Sequence, residues 1–317
     1  MSTGGFIAVV LNYRRAQETL ECLGSLSGSH VQPSRTLVVD NHSEDGSSER
    51  IKAARPDVDL VEPGENLGYA GGMNAGLRHA LDGNEEYVLI INSDTLVRPD
   101  TVSRLIRALD DRPEAGAATG TFTYYPDTQR VWYAGGAVAY GRAHAVTNRV
   151  IPGLQRADGS PVVQAVTFLT GCAMLLRTSA LRTAGMFDER YFMYLEDVEL
   201  SARFLGKGFQ LLYVPGAMFS HRLDVDEQTP LKTYYVTRNR LLLLESAPSV
   251  LQRARGTGYL ALVLAIKSLW WILTNRRLAE AAFMGVQDYR AGRLHAGRGL
   301  SLAVRATGNR REHADLH

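Results

Sequence analysis

The sequence predicts an α/β fold: a mainly parallel central sheet flanked by helices, with a helical C-terminal appendage. Three observations predict it. Short apolar runs alternate with helical patterns through the first half of the chain, the order that builds parallel strands joined by crossover helices. The apolar runs are continuous in Val, Ile and Leu rather than alternating, as in strands covered on both faces. Polar residues close three of them: Asn12 and Tyr13, then Asp40 and Asn41, then Asn92 and Asp94. Open sheets of this class bind ligands beyond the carboxyl ends of their strands.

The elements follow in order. Residues 6–11 form a buried strand, and 15–26 a helix with Leu20, Leu23 and Leu26 on one face. A strand at 36–39 ends at Asp40; a helix at 46–54 and a short strand at 59–62 follow. A helix at 70–81 leads to a strand at 87–91. Pro99 is expected in the first turn of the next helix. Residues 122–165, rich in Gly, Tyr and polar side chains, read as a long and partly β excursion. Residues 166–177 return to a compact segment, and a loop, a helix and a glycine stop follow over 187–209. A strand at 209–214 then precedes His221.

The expected domains are a catalytic domain over 1–245 and a helical extension over 246–317. In the extension, 258–273 is apolar apart from Lys267 and shorter than the roughly 20 residues of a spanning helix. It reads as a helix at a membrane surface, a buried helix or a homodimer contact. The polar residues 290–317 read as a loosely held tail.

With 317 residues, 45% of them hydrophobic, the chain has ample material for a large core. A formal charge of +2 without a long basic run gives no case for nucleic acid as a partner. The two cysteines, Cys22 and Cys172, stand far apart and form no metal-ligand spacing, which fits reduced thiols in the cytoplasm. The opening MSTGGFIAVVLNY has no basic region and an apolar run too short for a signal peptide. The expected place is the cytoplasm, with the inner face of the plasma membrane as an alternative if 258–273 lies on lipid.

Several patterns carry chemistry. Asp40 follows a strand and precedes a Ser/Gly-rich turn; its carboxylate suits a ribose hydroxyl or a base N–H, or else an ordinary helix cap. In ENLGYAGGMNAGL, four glycines (Gly68, Gly71, Gly72 and Gly76) surround a helix start. Such a start offers N–H groups to phosphate, although close helix packing explains Gly72 and Gly76 equally well. In INSDTLVRPD, a buried strand stops at Asn92, Ser93 and Asp94. A carboxylate on a strand tip is placed to hold a hard divalent cation, with a diphosphate supplying further oxygens. Glu196 and Asp197 open a helix; acids favour a helix N-terminus for structural reasons too, and adjacent helical residues do not share a face. One of them as general base would take the proton of an attacking hydroxyl. His221 reads as a metal ligand, a base or a structural histidine.

In sequence order VVLNYRR, VVDNHSEDGS, ENLGYAGGMNAGL, INSDTLVRP, LTGCAMLLR, FDERYFMYLEDVELSARFLGKGF and SHR resemble the family 2 inverting glycosyltransferases of the GT-A fold, above all their rhamnosyltransferase-like branch. The resemblance spans about residues 5–245. It implies that Asn12, Tyr13 and Asp40 hold the nucleoside and that Asn66, Gly68 and Gly71 line the donor site. It implies Mg²⁺ or Mn²⁺ at Asp94, the family's D-x-D position, with Asn92 beside the donor and His221 as a further metal ligand. Gly171 and Cys172 would lie beside sugar and acceptor, Asp197 would be the catalytic base, and Arg238 and Asn239 would sit on a mobile segment near the diphosphate. Two departures stand out. Asn92 replaces the first carboxylate of D-x-D, and Gly72 and Met73 stand where several relatives carry a cation.

The resemblance implies a dTDP-rhamnose donor, with a UDP-hexose as rival, and a saccharide, lipid-linked saccharide or natural-product acceptor. Three other classes compete. A nucleotidyltransferase would carry a Gly-rich basic loop after the first strand, where this chain reads LNYRRAQETL. A dinucleotide oxidoreductase would carry GxGxxG there. A non-catalytic nucleotide-sugar binder would not need both Asp94 and Asp197.

Overall fold

The computed structural model describes residues 5–149, 162–222 and 228–302. The chain runs β1 (Phe6–Asn12), α1 (Ala16–Ser27), β2 (Arg35–Asp40), α2 (Ser47–Ala54), β3 (Asp59–Val61), α3 (Gly68–Leu81), β4 (Tyr87–Asn92), β5 (Thr95–Val97) and α4 (Thr101–Asp110). It continues through β6 (Ala115–Tyr124), β7 (Val131–Tyr133), β8 (Gly136–Ala139), β9 (His144–Thr147), β10 (Gln164–Val166), β11 (Ala173–Arg177), α5 (Thr178–Ala184), α6 (Glu196–Gly206) and β12 (Gln210–His221). The C-terminal helices are α7 (Pro230–Leu243), α8 (Val250–Thr274) and α9 (Arg276–Arg290).

The described residues fall into two compact units. The first holds residues 1–138, 145–188 and 197–224; the second holds 139–144, 189–196 and 225–317. The second unit therefore begins before residue 246 and takes α7 with it.

In the first unit the main sheet has the order β10-β12-β6-β11-β4-β1-β2-β3. β1 pairs in parallel with β2 and β4, and β12 with β6. β11 runs antiparallel between β4 and β6. The register aligns the tips: Asn12 faces Asp40, and Leu11 faces Asn92. Because β11 is reversed, its start lies at the same rim, with Ala173 opposite Ile91. β1 is buried along nearly its whole length, as the unbroken apolar run requires. α3 seats directly on the sheet: a Cβ at Gly76 would overlap Val9 and lie 2.8 Å from Val39 Cγ2. Of the readings open for Gly72 and Gly76, close packing is the one the contacts support, since a Cβ at Gly72 would come within 2.8 Å of Leu11.

Three expectations shift. Pro99 stands ahead of α4 rather than in its first turn. The strand expected to stop at Val214 continues to His221, its last residue. The apolar helix begins at Val250 rather than Gly258 and has 25 residues, so it is long and apolar enough to cross a membrane by length and composition. Parts of the 122–165 excursion and of the expected tail, residues 150–161 and 303–317, lie outside the described residues.

The second unit is built on α7, α8 and α9. α7 meets α9 closely, with a Cβ at Gly285 only 2.7 Å from the Tyr234 carbonyl oxygen. Asp288, fully buried, accepts hydrogen bonds from Tyr234 Oη (2.6 Å), Arg293 Nε (2.8 Å) and Arg298 Nε (2.8 Å). Burial alone would raise this carboxyl, but those donors hold it at about 2.

Candidate active site

The rim of the first unit is assembled from several strand ends. At the tips of β1 and β2, Asn12 donates to Asp40 Oδ1 (2.6 Å) and to Ser43 Oγ (3.2 Å), and its own Oδ1 accepts from Thr19 Oγ1 (2.8 Å). Ser43 also bonds Asp40 through its hydroxyl and its backbone N–H. Asn12 is therefore fully enclosed, and its amide groups serve to lock the two tips together. That revises its expected role as a nucleoside contact. Asp40 is buried in the same network, while Tyr13 is exposed, with the Arg14 guanidinium over its ring.

A second network ties β2 to α3. Asn41 donates to Asn66 Oδ1 (3.1 Å) and the Gly68 carbonyl (2.9 Å), and Asn66 Oδ1 also accepts the Gly68 N–H (2.9 Å). Gly68 has φ +70°, a backbone state in which its lack of Cβ is needed. Gly71 packs on Leu67, where a Cβ would sit 2.7 Å from that side chain.

Beyond β4, Asp94 Oδ1 lies 3.0 Å from His221 Nε2, and Asp94 Oδ2 lies 3.3 Å from Arg15 Nη1. Burial would raise the Asp94 carboxyl, but the His221 hydrogen bond and the charges of His221 and Arg15 hold it below its ordinary value. His221 is buried, and burial would lower it. The neighbouring Cys172 and the Asp94 carboxylate, which Nε2 meets directly, reverse this and push it up to about 10. Trp132 packs 5.3 Å from the imidazole, ring centre to ring centre. Asn92 donates its backbone N–H to the Cys172 carbonyl (2.9 Å), and its side-chain Oδ1 is buried without a hydrogen-bond partner.

Cys172 connects this cluster to the second carboxylate. The neighbouring Gly171 N–H donates to Asp197 Oδ2 (2.9 Å), the Gly171 carbonyl accepts from Tyr69 Oη (2.5 Å), and Asp197 Oδ1 accepts the Val198 N–H (2.8 Å). A Cβ on Gly171 would lie 3.1 Å from Tyr69 Oη and 3.3 Å from Asp197 Cβ, so an added methyl would press on both by a few tenths of an ångström. Burial raises the Asp197 carboxyl to about 6, against the lowering pull of the Gly171 and Val198 N–H groups. A hydrogen-bonded path thus runs from Asn92 at the tip of β4, two residues before Asp94, through the Cys172 carbonyl and Gly171 to Asp197. The backbone entering α6 is strained: Phe192, Tyr194 and Leu195 have φ of 63°, 68° and 66°. Such non-glycine residues cost about 1–3 kcal/mol each and cluster at functional sites.

Asp94 and His221 suit a small divalent cation. Their donor atoms are one hard oxygen and one imidazole nitrogen, 3.0 Å apart, about the spacing of adjacent ligands around an octahedral ion. No group of three or more His, Cys, Asp or Glu side chains able to hold a metal occurs among the described residues. Further ligands would come from the diphosphate and water.

Arg238 departs from expectation. It belongs to the second unit and is 0% exposed. Its Nε donates to Asn239 Oδ1, its Nη1 to the His295 carbonyl, and its Nη2 to the Arg190 and Tyr191 carbonyls. Tyr234 and Tyr235 flank the guanidinium. A side chain so enclosed and engaged is a structural clamp rather than a ligand of a diphosphate. Sequence reasoning passed over Arg15 and Tyr69, which stand at the site instead. Arg15 was visible only as part of YRR, and Tyr69 lay among glycines that drew attention away from it.

Strand tips that set Asn92, Ser93 and Asp94 at one rim, with a second buried carboxylate tied to β4 through Cys172 and Gly171, define a GT-A glycosyltransferase, an enzyme that transfers sugar from a nucleotide donor. The model of Glycosyl transferase family 2 matches residues 7–185, and the chain belongs to that family, in its rhamnosyltransferase-like branch. It is 30% identical over 232 residues to an N-acetylglucosaminyl-diphospho-decaprenol L-rhamnosyltransferase of Mycobacterium tuberculosis, covering 67% of this chain and 74% of the relative. It is 23% identical over 248 residues to the dTDP-rhamnosyl transferase RfbF of Shigella flexneri, covering 75% and 79%. In fold it is similar to the mannosyltransferase PcManGT from Pyrobaculum calidifontis, solved with GDP-Man and Mn²⁺. The TM-score is 0.56 at 16% identity, over 90% of this chain and 86% of that one.

Proposed function

We propose that the protein is an inverting transferase that moves L-rhamnose from dTDP-rhamnose to a hydroxyl of a lipid-linked saccharide. The hydrogen-bonded path from the β4 tip to Asp197 supports this reading, because Asp94 and Asp197 then share one rim, the first suited to a cation and the second to a proton. The two rhamnosyl-transferring relatives support the donor, and the decaprenol-linked substrate named for one of them supports the acceptor class.

Asp197 takes the proton of the acceptor hydroxyl as its oxygen attacks the anomeric carbon. The oxygen–carbon bond forms as the carbon–oxygen bond to the diphosphate breaks, and the electron pair leaves on the nucleotide diphosphate. A single displacement inverts the anomeric centre. Asp94 and His221 would hold Mg²⁺ or Mn²⁺, which when bound supplies positive charge toward the departing diphosphate. Arg15, beside Asp94, adds a fixed cation on the same rim. The N–H groups of Gly171 and Val198 keep the base oriented.

α8 supports a lipid-surface acceptor. Leu262, Ile266, Leu269, Trp270 and Leu273 form one helical stripe and are 60–84% exposed. The helix contains no acid, and Arg253, Arg255 and Lys267, with Arg276 and Arg277 just beyond it, supply positive charge. An aromatic and aliphatic stripe with basic flanks suits the surface of an anionic bilayer, here the inner face of the plasma membrane.

A competition assay tests the donor. dTDP should displace bound nucleotide sugar at lower concentration than UDP, and dTDP-rhamnose should be consumed with release of dTDP. Preference for UDP and turnover of a UDP-hexose would replace rhamnose by the alternative donor. Co-sedimentation with phosphatidylglycerol vesicles, lost in a Leu269→Ser/Trp270→Ser variant, tests the surface. Equal recovery of both proteins with the vesicles would remove it.

A further inference from the structure

Three of the four residues before Glu196, where α6 begins, are non-glycine residues with positive φ (Phe192, Tyr194 and Leu195), and Asp197 is the second residue of that helix. Backbone in this state persists only where surrounding contacts over-determine it. α7 supplies those contacts. Asn239 Nδ2 donates to the carbonyls of Tyr191 (2.9 Å), Met193 (2.8 Å) and Tyr194 (2.8 Å). Arg238 Nη2 donates to the carbonyls of Arg190 (3.1 Å) and Tyr191 (2.8 Å). Arg238 Nε donates to Asn239 Oδ1 (2.9 Å), which fixes the amide's orientation, because a flipped amide would set N–H against N–H. Both side chains are fully buried. Phe192, within the strained stretch, stacks on Tyr235 of the same helix at 5.2 Å.

We propose that Asn239, locked by Arg238, is a positioning residue for sugar transfer: the pair grips the carbonyls of residues 190–194 and so sets the strained entry from which the chain delivers Asp197. This rests on Asp197 as the base. Nothing in the pair touches substrate; its action passes through the backbone. It also explains why a guanidinium and an amide occupy adjacent buried positions at a cost in desolvation. Together they satisfy the Met193 and Tyr194 carbonyls and add to the bonds that the Tyr191 and Arg190 carbonyls accept from the Met193 and His295 N–H groups.

The test compares Asn239→Ala and Arg238→Lys with Arg240→Ala. Arg240 lies on the same helix and donates to the carbonyls of Arg142 and Ala143, a different segment. Asn239→Ala should lower kcat roughly 10–100-fold while the donor KM changes less than about threefold, since small misplacement of a reacting group has effects of that size. Arg238→Lys should do the same, because it keeps the charge and loses the fork. Arg240→Ala should lower thermal stability and leave kcat within about twofold. Hydrogen exchange over residues 190–197 should quicken in the first two variants only. Should Asn239→Ala fail to fold, Asn239→Ser keeps one donor and reads the same split.

Unchanged kcat in the Asn239 variants would overturn the proposal, as would an equal loss of kcat in Arg240→Ala. A rise in donor KM in Arg238→Ala with full activity in Arg238→Lys would return Arg238 to the diphosphate and also overturn it. Asp197→Asn, run alongside, separates the two levels. If that variant is fully active the base reading fails, whereas if it is inactive and the Asn239 variants are normal, only the positioning role fails.

Discussion

The most direct consequence of the site is an acid limb in the rate. As the proposed base, Asp197 must be ionised to take a proton, and burial sets its carboxyl at about 6. At pH 7 about nine-tenths of the molecules carry the active form, and at pH 5 about one-tenth. With saturating Mn²⁺ and donor, kcat/KM should therefore fall roughly tenfold between those values, and tenfold per pH step below them. Asp94, held below its ordinary value, stays ionised through this window and adds no limb of its own. Asp197→Asn should abolish the limb and lower the rate about 10²–10⁴-fold.

Stability separates chemistry from unfolding. A carboxyl raised in the fold binds its proton more tightly there than in the unfolded chain. Its contribution is favourable below the ordinary 3.8 and is lost as pH rises through about 6. Above that, burying the charge costs at most about 3 kcal/mol. Asparagine removes this cost but leaves one of the two N–H donors without an acceptor, a loss of about 1–3 kcal/mol. The variant should melt close to the parent at pH 7. A rate flat from pH 7 to 5, or an acid limb surviving in Asp197→Asn, would refute the assignment.

Other outcomes follow from the same contacts. Chelator should abolish turnover and added Mn²⁺ or Mg²⁺ restore it, while Asp94→Asn should stay inactive at any metal concentration; full activity in chelator would remove the cation. Gly171→Ala should lower kcat about tenfold with little change in melting, since the added methyl presses on Tyr69 and Asp197. Unaltered kcat would show that the neighbours yield freely. Gly76→Ala should destabilise the fold by about 1–3 kcal/mol in denaturant titration, because α3 has no room above Val9 and Val39. Arg203→Ala should do so by a similar amount, for it holds Glu199 and the carbonyls of Ala184 and Met186.

The first half of the fold was legible because parallel strands buried on both faces leave unbroken apolar runs, and each run ended within a residue or two of where the strand ends. The polar tips were legible for the same reason, since register follows once the strands are assigned. Four things were not. β11 reads like any other apolar strand, and its reversed direction depends on which neighbours it pairs with. Arg238 looked like a ligand for an anion because an arginine's partners here are backbone carbonyls, which leave no mark in the sequence. The nucleoside role expected of Asn12 failed similarly: a polar residue at a strand tip serves either a ligand or the neighbouring tip, and only the 2.6 Å contact with Asp40 decides. The strain before Asp197 was equally hidden, as Phe, Tyr and Leu are residues from which positive φ is not expected.

The reversed strand β11 has a consequence for how this scaffold can diversify. Its start, rather than its end, faces the rim, so the chain arrives there directly from the excursion that follows β6 and then dives back through the middle of the sheet. That excursion is itself stitched to the sheet, through β7 on β6 and β10 on β12, so its ends hold the strand that carries His221. A segment swapped between related chains therefore has to bring its own β7 and β10 edges to match, or the rim loses its support along with its old contacts.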